Sequence, residues 1–372
     1  MDTSAWEAAG LYDPGSPAAA ERQALLQYLT DRGATIEQMV EAERLDALPA
    51  LAGELVRRRS VSLVTVEELA ARCGASPETV QRILLAAGIP VRADTELSAN
   101  LDALVMAFIQ GVALMGEDAI LAFTRVLGAA ATNIAEAAVA LFLSELGPGT
   151  EREGRDELTR AQISERATLA FDAVPEALIR VLITQFDRAS QRSLSRGWTT
   201  ETDEATLAAS EVVTLGFVDL VGSTSWAERM SLRDQSLALS RFESAAWSSA
   251  VLAGGRVVKM IGDEAFFVAP SVDAGCRIAT EVCRAAAEDG LLPEARGAVG
   301  HGTVMAREGD YFGPVVNQVA RLVKVATPGC VVVTGDAAVE LSTDRWSVVE
   351  LDAPRLRGID AAVKAFEIAP MA

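Results

Sequence analysis

Two short segments place carboxylates where a phosphate-bound metal ion would need oxygen ligands. The first, Phe217-Val218-Asp219-Leu220-Val221-Gly222-Ser223-Thr224, reads as the tip of an apolar strand over 212–218, then an acid, then a glycine turn into a helix. Backbone N–H groups at such a turn, with Ser223 and Thr224 at the helix N-terminus, favour phosphate oxygens. The second, Lys259-Met260-Ile261-Gly262-Asp263-Glu264, reads as a β-hairpin, with 256–259 leading in, Gly262-Asp263 turning and 265–268 returning. If the strands are neighbours, Asp219 and Asp263 share one site. Paired carboxylates that hold two divalent cations are the usual clamp for in-line displacement at phosphorus. Taken singly, each acid reads as a solvated turn residue.

A third segment adds groups of a different kind. Asp310-Tyr311-Phe312-Gly313-Pro314-Val315-Val316-Asn317-Gln318-Val319-Ala320-Arg321 opens with an acid and a Gly-Pro break and becomes helical by Val315. Asn317 and Arg321 are then four apart on one helix face, an amide and a guanidinium able to hold a sugar and an oxyanion.

In this order and spacing the three segments resemble the catalytic domain of the class III nucleotidyl cyclases, over residues 211–369. The resemblance implies an α+β fold, a palm-like, ferredoxin-like domain with one mainly antiparallel sheet flanked by helices. It implies that Asp219 and Asp263 bind two metal ions per site, Mg2+ or Mn2+. It assigns adenine selection to Lys259 and Asp310, and contact with ribose and the reacting phosphate to Asn317 and Arg321. Leu356-Arg357-Gly358 looks like the segment whose basic residue contacts the outer phosphates, with Arg357 where lysine is common. The expected reaction is attack of the ribose 3′-hydroxyl of ATP on its own α-phosphorus, giving 3′,5′-cyclic AMP and pyrophosphate. In the family the metal pair comes from one subunit and the other groups from its partner, so a homodimer with shared active sites is implied.

Composition supports Lys259 separately. The chain has three lysines, Lys259, Lys324 and Lys364, within 33 basic residues, so a lysine marks a position where arginine is not used. An ammonium is a compact point donor suited to a ring nitrogen, whereas a guanidinium is a wide fork suited to carboxylate or phosphate. With Asp310 accepting from an exocyclic amine, the pair complements adenine. Where the family often carries a glycine in Arg-x-Gly-Ile before a turn, this chain reads Arg296-Gly297-Ala298-Val299-Gly300-His301-Gly302. Ala298 should alter packing more than chemistry, and His301, the single histidine, reads as a partly buried residue at or just after a strand end.

The expected organisation is a helical domain over 1–191, a linker over 192–210 and the catalytic domain over 211–372. Apolar residues recur at three and four spacing through most of the first part. Residues 1–210 carry 18 basic and 31 acidic side chains, within a net charge of −19, which argues against nonspecific nucleic-acid binding. Within it, residues 65–84 resemble a helix-turn-helix, with Gly74 at the turn, Ser76 as N-cap and Pro77 at the first helical position. Its second helix offers chiefly Arg82 as a basic side chain, so a helical packing module is the better reading. Four scattered cysteines point to reduced thiols, the start of the chain shows no signal peptide, and the longest uncharged apolar run, 103–116, is too short to span a bilayer. A cytoplasmic protein is expected.

A helical domain ahead of a cyclase domain resembles a group of soluble actinobacterial adenylate cyclases in which the first domain regulates the second, in some members in response to pH. That implies a small-molecule or proton regulator, although the first 210 residues contain no histidine. The alternative is a nucleotide-sensing regulator that uses the helix-turn-helix-like segment and has little or no cyclase activity.

Overall fold

The computed structural model describes residues 3–59, 62–92, 95–146, 156–171, 173–196, 209–352 and 363–371. The chain divides into two compact units, Met1–Thr200 and Glu201–Ala372.

The first unit is built from helices α1 (Ser4–Ala8), α2 (Ala19–Asp31), α3 (Ile36–Arg44), α4 (Leu51–Arg59), α5 (Val66–Cys73), α6 (Pro77–Ala86), α7 (Asp102–Met115), α8 (Glu117–Leu146), α9 (Glu157–Phe171) and α10 (Val174–Arg196). Among the described residues a two-residue antiparallel pair, β1 (Leu63–Val64) with β2 (Leu97–Ser98), adds to the expected helices. Strands this short carry no alternation for a sequence to display.

The caps around α5 and α6 follow from residue chemistry. Thr65 and Glu68 form a reciprocal capping box, Gly74 ends α5 at φ 64°, and the Ser76 hydroxyl accepts from the Thr79 N–H ahead of Pro77. The apolar faces of the two helices, Val66, Leu69, Val80, Ile83 and Leu84, close on Val105, Phe108 and Ile120. Arg82 is ion-paired with Glu117 at the start of α8. The segment is a packed part of the helical unit.

The second unit runs β3 (Ala209–Leu220), α11 (Ser223–Ala227), α12 (Leu232–Leu252), β4 (Arg256–Ile261), β5 (Glu264–Ala269), α13 (Val272–Glu288), β6 (Ala295–Arg307), β7 (Asp310–Phe312), α14 (Pro314–Leu322), β8 (Val331–Thr334), α15 (Gly335–Val339), β9 (Trp346–Glu350) and β10 (Ala365–Pro370). The sheet order is β4-β5-β3-β6-β8-β10-β9, with β7 folded back on β6. Among the described residues only the β6–β8 pairing is parallel, and α14 lies within that crossover.

Side-chain alternation along β3 sorts the core into two layers. Val218 and Leu220 join Phe242 of α12 and Ile278 and Val282 of α13 on one face. Val213, Leu215 and Phe217 join Phe266 and the α14 residues Val315, Val319 and Leu322 on the other. The Phe217 and Phe266 rings stack there with centroids 4.5 Å apart. Asp219, two residues after Phe217, emerges on the α14 face.

One expectation is corrected. The Gly300-His301-Gly302 stretch, where the family pattern places a turn and His301 was expected at or just after a strand end, is the middle of β6, which runs from Ala295 to Arg307. Glycine serves close approach here: a Cβ on Gly300 would lie 2.4 Å from Cγ2 of Val319, so α14 packs against bare backbone. His301 is accordingly a mid-strand residue, half-buried, with Nδ1 3.0 Å from the Thr214 hydroxyl. Ala298 is fully buried opposite Phe217.

Gly216 on β3 is equally constrained, since a Cβ would meet the Phe267 ring at 2.3 Å and the Ala298 carbonyl oxygen at 2.9 Å. Gly216→Ala should therefore destabilise the sheet by about 1–3 kcal/mol through overpacking. Urea unfolding of the full chain, followed by tryptophan fluorescence, checks this. An unchanged midpoint would show that β3 and β5 can separate freely.

Candidate active site

The site is organised around Asp219, a residue only 3% exposed near the end of β3. Sheet register sets Glu264 of β5 on one side of it and Arg296 of β6 on the other. The Arg296 guanidinium donates to Asp219 Oδ2 from Nε at 3.1 Å and from Nη2 at 2.9 Å. Its Nη1 donates to the Lys324 carbonyl at 2.6 Å. Lys324 follows α14 in a single 3-10 turn, Val323–Val325, and its ammonium donates to Asp219 Oδ1 at 2.5 Å and to Glu264 Oε2 at 2.6 Å.

This pairing is what makes the burial tolerable, because a carboxylate taken out of water without compensation is strongly disfavoured. Burial pushes the Glu264 carboxyl above the usual range, opposed by the hydrogen bond from Lys324. Burial alone would push the Lys324 ammonium down, but its bonds to Asp219 and Glu264 prevail and its pKa is raised.

Asp263 sits at the β4–β5 turn, where Gly262 takes the left-handed conformation at φ 63°. The Leu220 N–H donates to the Asp263 carbonyl at 3.2 Å, tying this turn to the tip of β3. The Asp263 charge adds to the upward pressure on Glu264. The structure thus sets the two segments carrying the expected metal acids side by side. The turn beyond Asp219 also forms as expected: Gly222, at φ 66°, caps α11, and Ser223 and Thr224 are its first residues.

A second group gathers at Lys259 on β4. Its ammonium pairs with the Asp310 carboxylate at the start of β7 and lies 5.9 Å from the centre of the Phe266 ring. Asp310 also accepts from the Tyr311 N–H at 2.8 Å. The β6–β7 hairpin is held toward β4 by Arg256, which donates to the Gly309 carbonyl at 3.3 Å with its guanidinium 5.3 Å over the Tyr311 ring. On α14, Asn317 is exposed and Arg321 half-buried, while Val315, Val319 and Leu322 face the sheet. Arg357 lies outside the described residues.

Three charged residues in the cluster were not singled out from sequence: Arg296, Glu264 and Lys324. Lys324 did carry a signal, being one of three lysines in a chain that otherwise writes its basic positions as arginine.

Hard carboxylate oxygens at a strand tip suit a hard divalent cation, and Asp219 with Glu264 already grips a cationic head between two oxygens. Among the described residues no three His, Cys, Asp or Glu side chains converge as a closed metal cage. A site that handles phosphate commonly uses one or two carboxylates and leaves the remaining positions to water and substrate oxygens. The residues present fit such an ion.

No protein-family model matches the chain. An uncharacterised protein of Mycobacterium tuberculosis is 32% identical over 371 residues, which cover 99% of this chain and 94% of that one. An adenylate cyclase of Glutamicibacter nicotianae is 40% identical over 145 residues, 39% of this chain and 36% of that one. A pH-sensitive adenylate cyclase of Mycobacterium tuberculosis is 26% identical over 386 residues, covering 96% of this chain and 90% of its own. With a helical unit followed by an α+β unit, and with these relatives, the chain belongs to the class III adenylate cyclase family and is a nucleotide cyclase.

Proposed function

We propose that the protein converts ATP to 3′,5′-cyclic AMP and pyrophosphate in active sites shared between two copies of the chain. The observation that carries the choice of ATP is the pairing of Lys259 with Asp310, which puts a point donor and an acceptor at one place. A purine with a ring-nitrogen acceptor and an exocyclic amine matches that pair, and guanine would call for an acceptor in the lysine's place.

Asp219 and Asp263 are the residues that would hold Mg2+ or Mn2+, two ions per site. Such ions, when bound, lower the pKa of a coordinated hydroxyl and neutralise phosphate charge. Asn317 positions the ribose so that its 3′ oxygen lies in line with the α-phosphorus, and Arg321 meets the charge growing on the α-phosphate oxygens. The 3′ oxygen gives its proton to solvent and bonds to the α-phosphorus as the bond from that phosphorus to the α–β bridging oxygen breaks, and pyrophosphate leaves. Ser223, Thr224 and Arg357 are assigned to the phosphates. No side-chain general base is needed.

The shared site follows the family arrangement, and the hydrogen bonds within one chain are in keeping with it. They gather Asp219, Glu264, Arg296 and Lys324 into one group and Lys259 with Asp310 into another. In the helical unit, a cavity of about 820 Å³ lined by Leu45, Leu51, Ala138, Val139 and Phe171 supports a small-molecule regulator of that unit. The ion pair between Arg82 and Glu117 supports a protein-packing role, without nucleic acid, for the helix-turn-helix-like segment. Four free cysteines support a cytoplasmic location, and no helix of the described residues is long and apolar enough to cross a membrane.

Asp263→Ala and Arg321→Ala should each lower cyclic AMP formation by at least about 10²-fold, the scale of losing preorganised charge stabilisation. Mixing the two variants should restore part of the activity, because one of the two mixed sites keeps both residues. Cyclic-product assays with ATP and GTP read this directly, and activity retained by both single variants would overturn the assignment. A second measurement concerns the adenine pair. Lys259 and Asp310 side chains are 45% and 23% exposed, so their mutual pairing should be worth less than about 1 kcal/mol in a double-mutant cycle on stability. Each single alanine variant should nonetheless raise KM for ATP. A large coupling with unchanged KM would make the pair structural.

A further inference from the structure

Lys324 takes no part in the reaction just described, yet its ammonium stands among the acids of the site. Both oxygens of Asp219 are engaged: Oδ2 accepts two N–H donors from Arg296, and Oδ1 accepts from Lys324 at 2.5 Å. A divalent ion approaching either oxygen would meet a positive charge already at hydrogen-bond distance. One of the two cations must yield.

The two are not equally held. Arg296 is 20% exposed and fastened by three hydrogen bonds, the third to the Lys324 carbonyl at 2.6 Å. Lys324 is 47% exposed, with its head at the end of a four-carbon stem, so the ammonium can swing into water while Arg296 keeps the backbone in place. The residue type fits that task. An ammonium is compact and strongly hydrated, and it leaves more easily than a planar fork locked on a carboxylate. The chain uses lysine here against its own habit.

We propose that Lys324 is a tethered counter-cation that fills the metal cradle until a divalent ion displaces it, and so sets the threshold for metal loading. The proposal rests on the reading of Asp219 as a metal-binding acid. In the metal-free protein the ammonium neutralises Asp219 and Glu264, two buried carboxylates on adjacent strands. Metal affinity is then the intrinsic affinity multiplied by the fraction of molecules in which Nζ has left the cradle. Removing the charge should have opposite effects on the two states, weakening the metal-free fold and strengthening metal binding. A merely structural lysine would show only the first.

The test is Mn2+ binding to the full chain without nucleotide, read by the electron paramagnetic resonance of free Mn2+, together with thermal unfolding with and without the ion. K324M, which keeps the stem and drops the charge, should bind Mn2+ about tenfold or more tightly than the wild type. Its metal-free Tm should be lower and its Mn2+-induced rise in Tm larger. K324R, which retains the charge, should bind no more tightly than wild type, and D219N should lose the site. Should K324M fail to fold, K324Q carries the same comparison. Equal or weaker Mn2+ binding by the neutral variant would overturn the proposal while leaving the cradle standing, provided D219N still abolishes binding. If D219N binds as the wild type does, the cradle reading fails and the role of Lys324 falls with it.

Discussion

The second unit depends on a buried negative charge at the tip of β3. Asp219 is covered from three directions, by Glu264 from β5, by Arg296 from β6 and by Lys324 from beyond α14. Each of these contacts requires a different piece of the fold to be in register. A slip of one residue between β3 and its neighbours would turn Asp219 toward the α12 and α13 layer, where Phe242, Ile278 and Val282 offer it no partner. An uncompensated carboxylate in that layer is costly enough that register and charge placement enforce each other.

The same constraint extends to α14. Its buried side, Val315, Val319 and Leu322, packs on the face of β3 and β6 that carries Phe217 and Ala298, and Gly300 lets it come close. That seating leaves Asn317 exposed and delivers the 3-10 turn after the helix to Asp219. The helix therefore does two things with one packing interaction. It presents Asn317 outward and leads into the turn whose cation meets the buried acid.

The helical unit is specified by more local means. The Thr65 and Glu68 box, the left-handed Gly74 and the Ser76-Pro77 start each act within a few residues, and Gly74, Ser76 and Pro77 were legible in the sequence. What such a motif is for was less legible, because a helix-turn-helix is a packing solution as well as a reader of DNA. Its packing is decided by partners distant in the chain, here Glu117 for Arg82 and the α7 residues Val105 and Phe108 for the apolar faces.

By itself the sequence determined the features whose physical cause is local: the apolar strand ending in Asp219, the hairpin turning at Gly262-Asp263, the glycine turn into α11 and the amphipathic helix carrying Asn317 and Arg321. Periodicity, turn chemistry and capping act over a few residues, so they can be read without knowing what lies opposite. Only the tertiary structure showed that β6 runs on through two glycines, since those glycines answer to Val315 and Val319 across the interface rather than to a turn. It alone showed that Asp219 shares its charge with Arg296, 77 residues away, and with Lys324, 105 residues away. Electrostatic compensation at that separation leaves no pattern along the chain, because it is set by which strands and loops the fold brings to one place.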